Sequence, residues 1–239
     1  MAATTLLAGA SGYAFKEWQG SFYPDKIKAA DMLAWYAQRL PTVEINNTFY
    51  RMPKPAVLEN WAQATPPDFR FAIKASRRIT HDARIKADAA DSVAYLYRML
   101  VSLGDKLGAV LFQLPPNLKK DLPRLEAFLK MLPDNHRAAF EFRNESWFDE
   151  EVYALLRQAN AALVLSERED NAPPPLVETA PWGYLRLRLE EYSGDDLQRW
   201  AARVGATGWR ETLAYFMHEP TAPGYARALL DYASAPPPQ

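Results

Sequence analysis

Glu44 and Asn46 alternate with Val43 and Ile45 in the short run Thr42-Val43-Glu44-Ile45-Asn46. Side chains point alternately to opposite faces of a strand, so the carboxylate and the carboxamide share one face. The same alternation elsewhere turns Phe71 and Ile73 one way and Ala72 and Lys74 the other. It also pairs Leu111 with Gln113, and sets Glu141 and Arg143 opposite Phe140 and Phe142. Glu44, Asn46, Lys74, Glu141 and Arg143 are therefore expected to converge, with Gln113 beside them. An unpaired buried charge costs several kcal/mol, so these groups must neutralise one another or hold a ligand.

Two carboxylates on separate strands suit acid–base chemistry of the kind glycosidases run, with Glu141 or Glu44 moving the proton. Lys74 could form a Schiff base if its neighbours lowered its pKa, although adjacent carboxylates push the other way. Arg77, Arg78, Arg143, Arg186 and Lys74 sit at or just beyond strand ends, where guanidinium forks suit phosphate or carboxylate. Tyr13, Trp18, Tyr50 and Trp147 offer aromatic walls. The plainer alternative is a closed network pairing Glu44 with Lys74 and Glu141 with Arg143, with solvated loop arginines and aromatics that only close a core. The histidines are His81, His136 and His218, and none has another at ligand spacing. His218 and Glu219 with Glu44 and Glu141 would suit a divalent cation, but spacing gives no support, so neither a metal nor a cofactor is expected.

These residues need elements to hold them. Eight short apolar runs, at residues 6–10, 42–46, 69–74, 109–113, 138–143, 162–166, 184–188 and 213–218, read as strands. Between most of them lie amphipathic stretches, the clearest being Leu122-Leu125-Phe128-Leu129-Leu132, with Asp121 before it and Pro123 in its first turn. Strand–helix alternation of this length predicts an α/β fold, a single (β/α)₈ barrel of the TIM type over residues 1–234, with its site at the carboxyl ends of the strands. Pro173-Pro174-Pro175 forbid an ordinary helix in the sixth crossover. Residues 235–239 read as a frayed, proline-rich tail.

Composition narrows the function classes. Lys and Arg number 28 against 29 Asp and Glu in 239 residues, so no global field draws nucleic acid or an anionic membrane. The absence of cysteine excludes disulfides, thiolate nucleophiles and Cys-ligated metals. The N-terminus lacks a positive region before its apolar stretch, and no run approaches the ~18 apolar residues of a membrane span. A soluble, cytoplasmic protein is expected.

The blocks Gly9-Ala10-Ser11-Gly12-Tyr13, Trp18-Gln19-Gly20-Ser21-Phe22-Tyr23-Pro24 and Val43-Glu44-Ile45-Asn46-Asn47-Thr48-Phe49-Tyr50-Arg51 resemble the DUF72 family, also called YecE-like proteins. So do Phe69-Arg70-Phe71-Ala72-Ile73-Lys74-Ala75, Leu111-Phe112-Gln113-Leu114-Pro115-Pro116 and Phe140-Glu141-Phe142-Arg143-Asn144-Glu145-Ser146-Trp147. The resemblance covers roughly residues 6–166 and implies a TIM-type barrel of unestablished activity. The last three strands depart from the family pattern. Leu165-Ser166-Glu167 stands for an Ala-Asp-Ser-like end, and Arg186-Leu187-Arg188 for Arg-x-His-Gly. Tyr215-Phe216-Met217-His218 stands for Tyr-Phe-Asn-Asn. Arg186 keeps the family's arginine; the histidine and the asparagine pair are replaced.

The leading expectation is a metal-independent enzyme acting by acid–base chemistry on a small anion, phosphorylated or carboxylated, with a sugar moiety as one option. Asn46, Tyr50, Gln113, Arg143, Trp147, Arg186 and His218 are the expected binding residues, and Glu44, Glu141 and Lys74 the catalytic ones. A non-catalytic small-molecule binder and a metal-dependent phosphoesterase or nucleic-acid repair enzyme are the alternatives.

Overall fold

The computed structural model describes residues 4–167, 175–217 and 220–235. Eight parallel strands close into a barrel in sequence order: β1 (Thr5–Ala10), β2 (Thr42–Ile45), β3 (Arg70–Lys74), β4 (Leu107–Gln113), β5 (Ala138–Glu141), β6 (Ala162–Ser166), β7 (Trp182–Leu187) and β8 (Glu211–Phe216). Among the described residues seven α-helices surround them: α1 (Met32–Ala37), α2 (Pro55–Gln63), α3 (Ala90–Leu100), α4 (Leu122–Leu129), α5 (Glu150–Gln158), α6 (Gly194–Gly205) and α7 (Ala222–Ser234). Among the described residues no helix joins β6 to β7. The expected proline-bearing loop falls mostly on residues 168–174, outside the described residues, as do His218, Glu219 and residues 236–239 of the expected tail.

Local signals start the helices where the sequence places them. The Asp121 carboxylate accepts from the Arg124 amide at 3.1 Å, and Pro123 occupies the first turn of α4. At α6 the Ser193 hydroxyl and the Asp196 carboxylate cap each other's backbone amides.

Alternation along the strands sorts side chains into two shells. Val43, Ile45, Phe71, Ile73, Phe140 and Phe142 join the core under the helices. Ala72, Leu111, Ala139, Val164, Tyr184 and Tyr215 form a separate cluster in the lumen. Small residues on β3 and β5 leave room for Tyr184 and Tyr215, whose rings meet at 5.2 Å. A filled lumen leaves the polar inward residues at the carboxyl ends as its lid.

Two seams of the barrel are short. β1 and β2 share two register pairs, Gly9 with Thr42 and Ala10 with Val43. β5 and β6 share two, Ala139 with Ala162 and Phe140 with Leu163. A buried hydroxyl bridges the first of these seams, and a second braces the start of β6. Tyr36 accepts from the Ala10 amide and donates to the Thr42 carbonyl, both at 2.8 Å. Thr179 accepts from the Leu163 amide and donates to the Ala161 carbonyl, again at 2.8 Å. Gly9 is required for the close approach at the first seam, since a Cβ there would lie 1.9 Å from the Thr42 carbonyl oxygen.

Candidate functional site

Strand polarity brings Glu44 of β2, Glu141 of β5 and Arg186 of β7 together across the lumen. All three are buried, Glu44 at 0% exposure and the other two at 1%. The Arg186 guanidinium bridges the carboxylates, donating from Nη2 to Glu44 Oε1 at 2.8 Å and from Nη1 to Glu141 Oε2 at 2.5 Å. Pairing therefore differs from the sequence-based alternative at Glu44, which meets Arg186 and not Lys74, while the expected pair of Glu141 with Arg143 forms at 3.4 Å beside the shorter bond to Arg186. The nearest cation for each carboxylate is one remote arginine, because the closed barrel lets the long Arg186 side chain of β7 reach into the lumen toward both β2 and β5.

Glu44 is further held by Ser11 Oγ at 2.7 Å and Asn46 Nδ2 at 3.0 Å on Oε1, and by the Tyr184 hydroxyl at 2.7 Å on Oε2. Burial alone would raise its carboxyl pKa. The charge and hydrogen bond of Arg186, with Ser11 and Tyr184, more than offset burial and hold it below its usual value. Glu141 accepts from Gln113 Nε2 at 2.8 Å on Oε2. Its Oε1 faces Arg143 Nε at 3.4 Å and Arg188 Nη1 at 3.7 Å. Burial again pushes upward, but Arg186 and Arg143 lower its pKa to about 2. The same two carboxylates keep the Arg186 pKa above its ordinary value despite burial.

Lys74 ends β3 at the edge of this network, half-buried. Its ammonium lies 4.5 Å from the centre of the Phe49 ring and, among the described residues, makes no hydrogen bond or ion pair. Burial, then the charge of Arg186, lowers its pKa to about 8, with Glu44 and Glu141 opposing. His81, bonded to the Thr80 hydroxyl at 2.9 Å, is also lowered, first by burial and then by Lys74 and Arg143. Two further polar atoms at the lid are buried without a partner among the described residues: Arg186 Nε and the hydroxyl of Ser166, register neighbours on β7 and β6.

The barrel brings together Glu44, Asn46, Lys74, Gln113, Glu141, Arg143 and Arg186. Tyr50 is 81% exposed and meets the Phe49 ring edge-on at 5.0 Å. Trp147 and Trp18, expected as walls of the site, belong to the core. Trp147 is fully buried, stacked on Phe142 at 4.8 Å, and donates its indole N–H to the Leu118 carbonyl at 2.6 Å. Trp18 is buried against Phe15, Phe22, Tyr23 and Tyr36. The segments following β1 and β5 fold these rings back onto the outer core, where their area is better removed from water. Arg77 forms a surface pair with Asp82 at 3.2 Å, and His218 lies outside the described residues. Ser11, Tyr184, Ser166 and Arg188 belong to the lid although the sequence reading gave them no role. Alternation of Tyr184, Arg186 and Arg188 with Leu185 and Leu187 was the signal available for two of them.

Among the described residues no group of three or more His, Asp or Glu is placed to hold a metal ion. The ionised carboxylates are already engaged by donors. What the lid can offer is positive charge from Arg143 and Lys74, and an amine that titrates near neutral pH.

Fold and site together define a parallel (β/α)₈ barrel capped by a buried carboxylate–guanidinium–carboxylate bridge. The chain belongs to the family described as "Protein of unknown function DUF72", whose model matches residues 7–238. It is 28% identical over 205 residues to UPF0759 protein YunF of Bacillus subtilis, covering 80% of this chain and 72% of that protein. It is 33% identical over 114 residues to UPF0759 protein YecE of Escherichia coli K12, covering 47% of this chain and 42% of that one. A crystal structure of a DUF72 family protein from Thermotoga maritima superposes with a TM-score of 0.81 at 25% identity, over 94% of this chain and 96% of that one. One from Enterococcus faecalis gives 0.82 at 16% identity, over 97% and 96%, and speaks for the fold alone. No helix among the described residues is long and apolar enough to cross a membrane.

Proposed function

We propose that the barrel mouth binds a small anionic molecule, held by Arg143, and that Lys74 moves the proton in the reaction carried out there. The observation that carries this reading is the contrast between Lys74 and the carboxylates. Lys74 Nζ makes no hydrogen bond or ion pair among the described residues, whereas Glu44 and Glu141 are both bound to Arg186.

A pKa near 8 suits a group that must give and take a proton near neutral pH, which a carboxyl held ionised at about 2 does not. Glu44 and Glu141 are accordingly assigned to orienting Arg186 and tuning Lys74, and Asn46 and Gln113 to fixing the carboxylates. Phosphate and carboxylate are the ligand groups that match a planar guanidinium beside an ammonium.

The test is a thermal-shift screen of sugar phosphates, nucleotides, organic acids and divalent metals on wild type, Arg143→Ala and Lys74→Met. A ligand at a hundred times its Kd adds about 2.7 kcal/mol, roughly 5–10 °C for a chain of this size. The expected result is a shift with a phosphorylated or carboxylated compound that Arg143→Ala abolishes. With that compound in hand, Lys74→Met is expected to bind but not turn over, and the wild-type kcat/KM is expected to change with a pKa close to 8. Shifts from metals alone, or turnover unaffected by Lys74→Met, would overturn the assignment.

A further inference from the structure

Beside the mouth lies a surface groove of about 880 Å³ between the segment following β2, the loop following β3 and the start of α3. It is contiguous with the lid, since Asn47 and Ser76 line it directly after the strand ends that carry Asn46 and Lys74. The large apolar side chains most exposed to solvent are Tyr50, Val57, Tyr95, Val101 and Tyr232, and the first three line this one groove. Buried Leu96 and half-buried Met52 form its floor. Apolar exposure gathered in one place marks an interaction surface, whereas single exposed residues do not.

The charges around it are one-sided. Arg51, Lys54 and Arg78 line the groove against the lone carboxylate of Asp91. The three cations make no ion pair among the described residues, and all are exposed. Tyrosine, methionine and arginine are also the residue types enriched where protein partners bind.

We infer that this groove docks an acidic peptide segment of a partner protein, with an apolar anchor set between Tyr50 and Tyr95 and its carboxylates against Arg51, Lys54 and Arg78. A small molecule would be buried over most of its surface by its site, and this groove leaves its aromatic and cationic lining in water, as suits an extended chain lying across it. Single-stranded nucleic acid would use the cations and rings but has no need of the aliphatic lining of Val57, Met52 and Leu96.

The test is selection of a random twelve-residue peptide library displayed on phage against the immobilised full chain, followed by fluorescence anisotropy of the enriched peptides. Enriched sequences are expected to carry several Asp or Glu around a Leu, Phe, Tyr or Trp. Their Kd is expected to weaken at least tenfold in Tyr50→Ala and again in the double variant Arg51→Glu/Arg78→Glu. These positions are exposed, so both variants are expected to keep the wild-type Tm. No enrichment over a blank surface, enrichment without acidic residues, or unchanged affinity in both variants overturns the inference. So does displacement of the peptides by a labelled twelve-residue oligothymidylate that binds more tightly.

Discussion

Arg186 holds two carboxylates that β2 and β5 would otherwise bury with their charges uncompensated. Removing it is expected to cost more than removing either acid. Arg186→Met should lose 3–5 kcal/mol or more, read as a fall in the urea midpoint, because it strands Glu44 and Glu141 side by side. Arg186→Lys should recover little, since one ammonium cannot reproduce a fork that bonds both acids at once. The triple variant Glu44→Gln/Glu141→Gln/Arg186→Met should regain much of the loss; if it is no more stable than Arg186→Met, the bridge is not what the lid depends on. Lys74 carries the opposite sign. Its pKa falls from 10.5 to about 8 on folding, so below pH 8 it stays charged at a cost that the unfolded chain does not bear. Between pH 8 and 10.5 the native state gives up the proton first and that cost fades. Lys74→Met is therefore expected to stabilise the protein at pH 7 by about 1–2 kcal/mol, discounted because the side chain is only half-buried, with the gain vanishing by about pH 10.5. Equal gains at pH 7 and 10.5 would point to packing instead. At this scale the sequence disclosed which side chains face inward and the pair of Glu141 with Arg143, but not that Arg186 joins both carboxylates. Alternation within a strand placed Glu44, Lys74, Glu141 and Arg143 correctly. The bond between Glu44 and Arg186 spans 142 positions, and no local pattern encodes it.

The elements are unevenly joined, and the weak joints explain why particular residues matter far from the lid. Where β1 meets β2 only two register pairs form, and Tyr36 on α1 supplies hydrogen bonds to both strands. Tyr36→Phe leaves the buried Ala10 amide and Thr42 carbonyl short of a partner and is expected to cost about 2–3 kcal/mol, roughly 5–10 °C in Tm. Thr179→Val, which keeps the volume and removes the hydroxyl, should behave alike at the start of β6, where it leaves the Leu163 amide and the Ala161 carbonyl short of a partner. Gly9→Ala should be worse than either, because its methyl would collide with backbone that cannot move without opening the seam. Calorimetry of the three variants checks the ordering; a neutral Tyr36→Phe would mean that water or the ladder itself satisfies those groups. Strand and helix positions were legible from period and capping residues, and the helix ends at Asp121 and Pro123 fell where the signals lie. The hydroxyl braces were not, because Tyr36 and Thr179 read locally as one more apolar helix residue and one more loop threonine.

Across the whole molecule, folding concentrates charge that composition averages away. The chain carries a net charge of −1, yet Lys74, Arg143, Arg186 and Arg188 all gather at one end of the barrel. They gather there because every strand runs the same way, so the carboxyl ends share one face however far apart they are in sequence. That arrangement requires closure. β8 supplies it, with six register pairs to β1 and six to β7. A chain ending at Gly205 lacks β8 and α7, leaves β1 and β7 as bare edges, and uncovers the lumen side of Tyr184. Such edges recruit other chains. The truncated chain is expected to be insoluble, or soluble without a cooperative urea transition by circular dichroism, and to bind no anion that the full chain binds. A soluble fragment with a sharp transition would mean that seven strands suffice, and the lid would then owe its assembly to β2, β5 and β7 alone rather than to the closed ring.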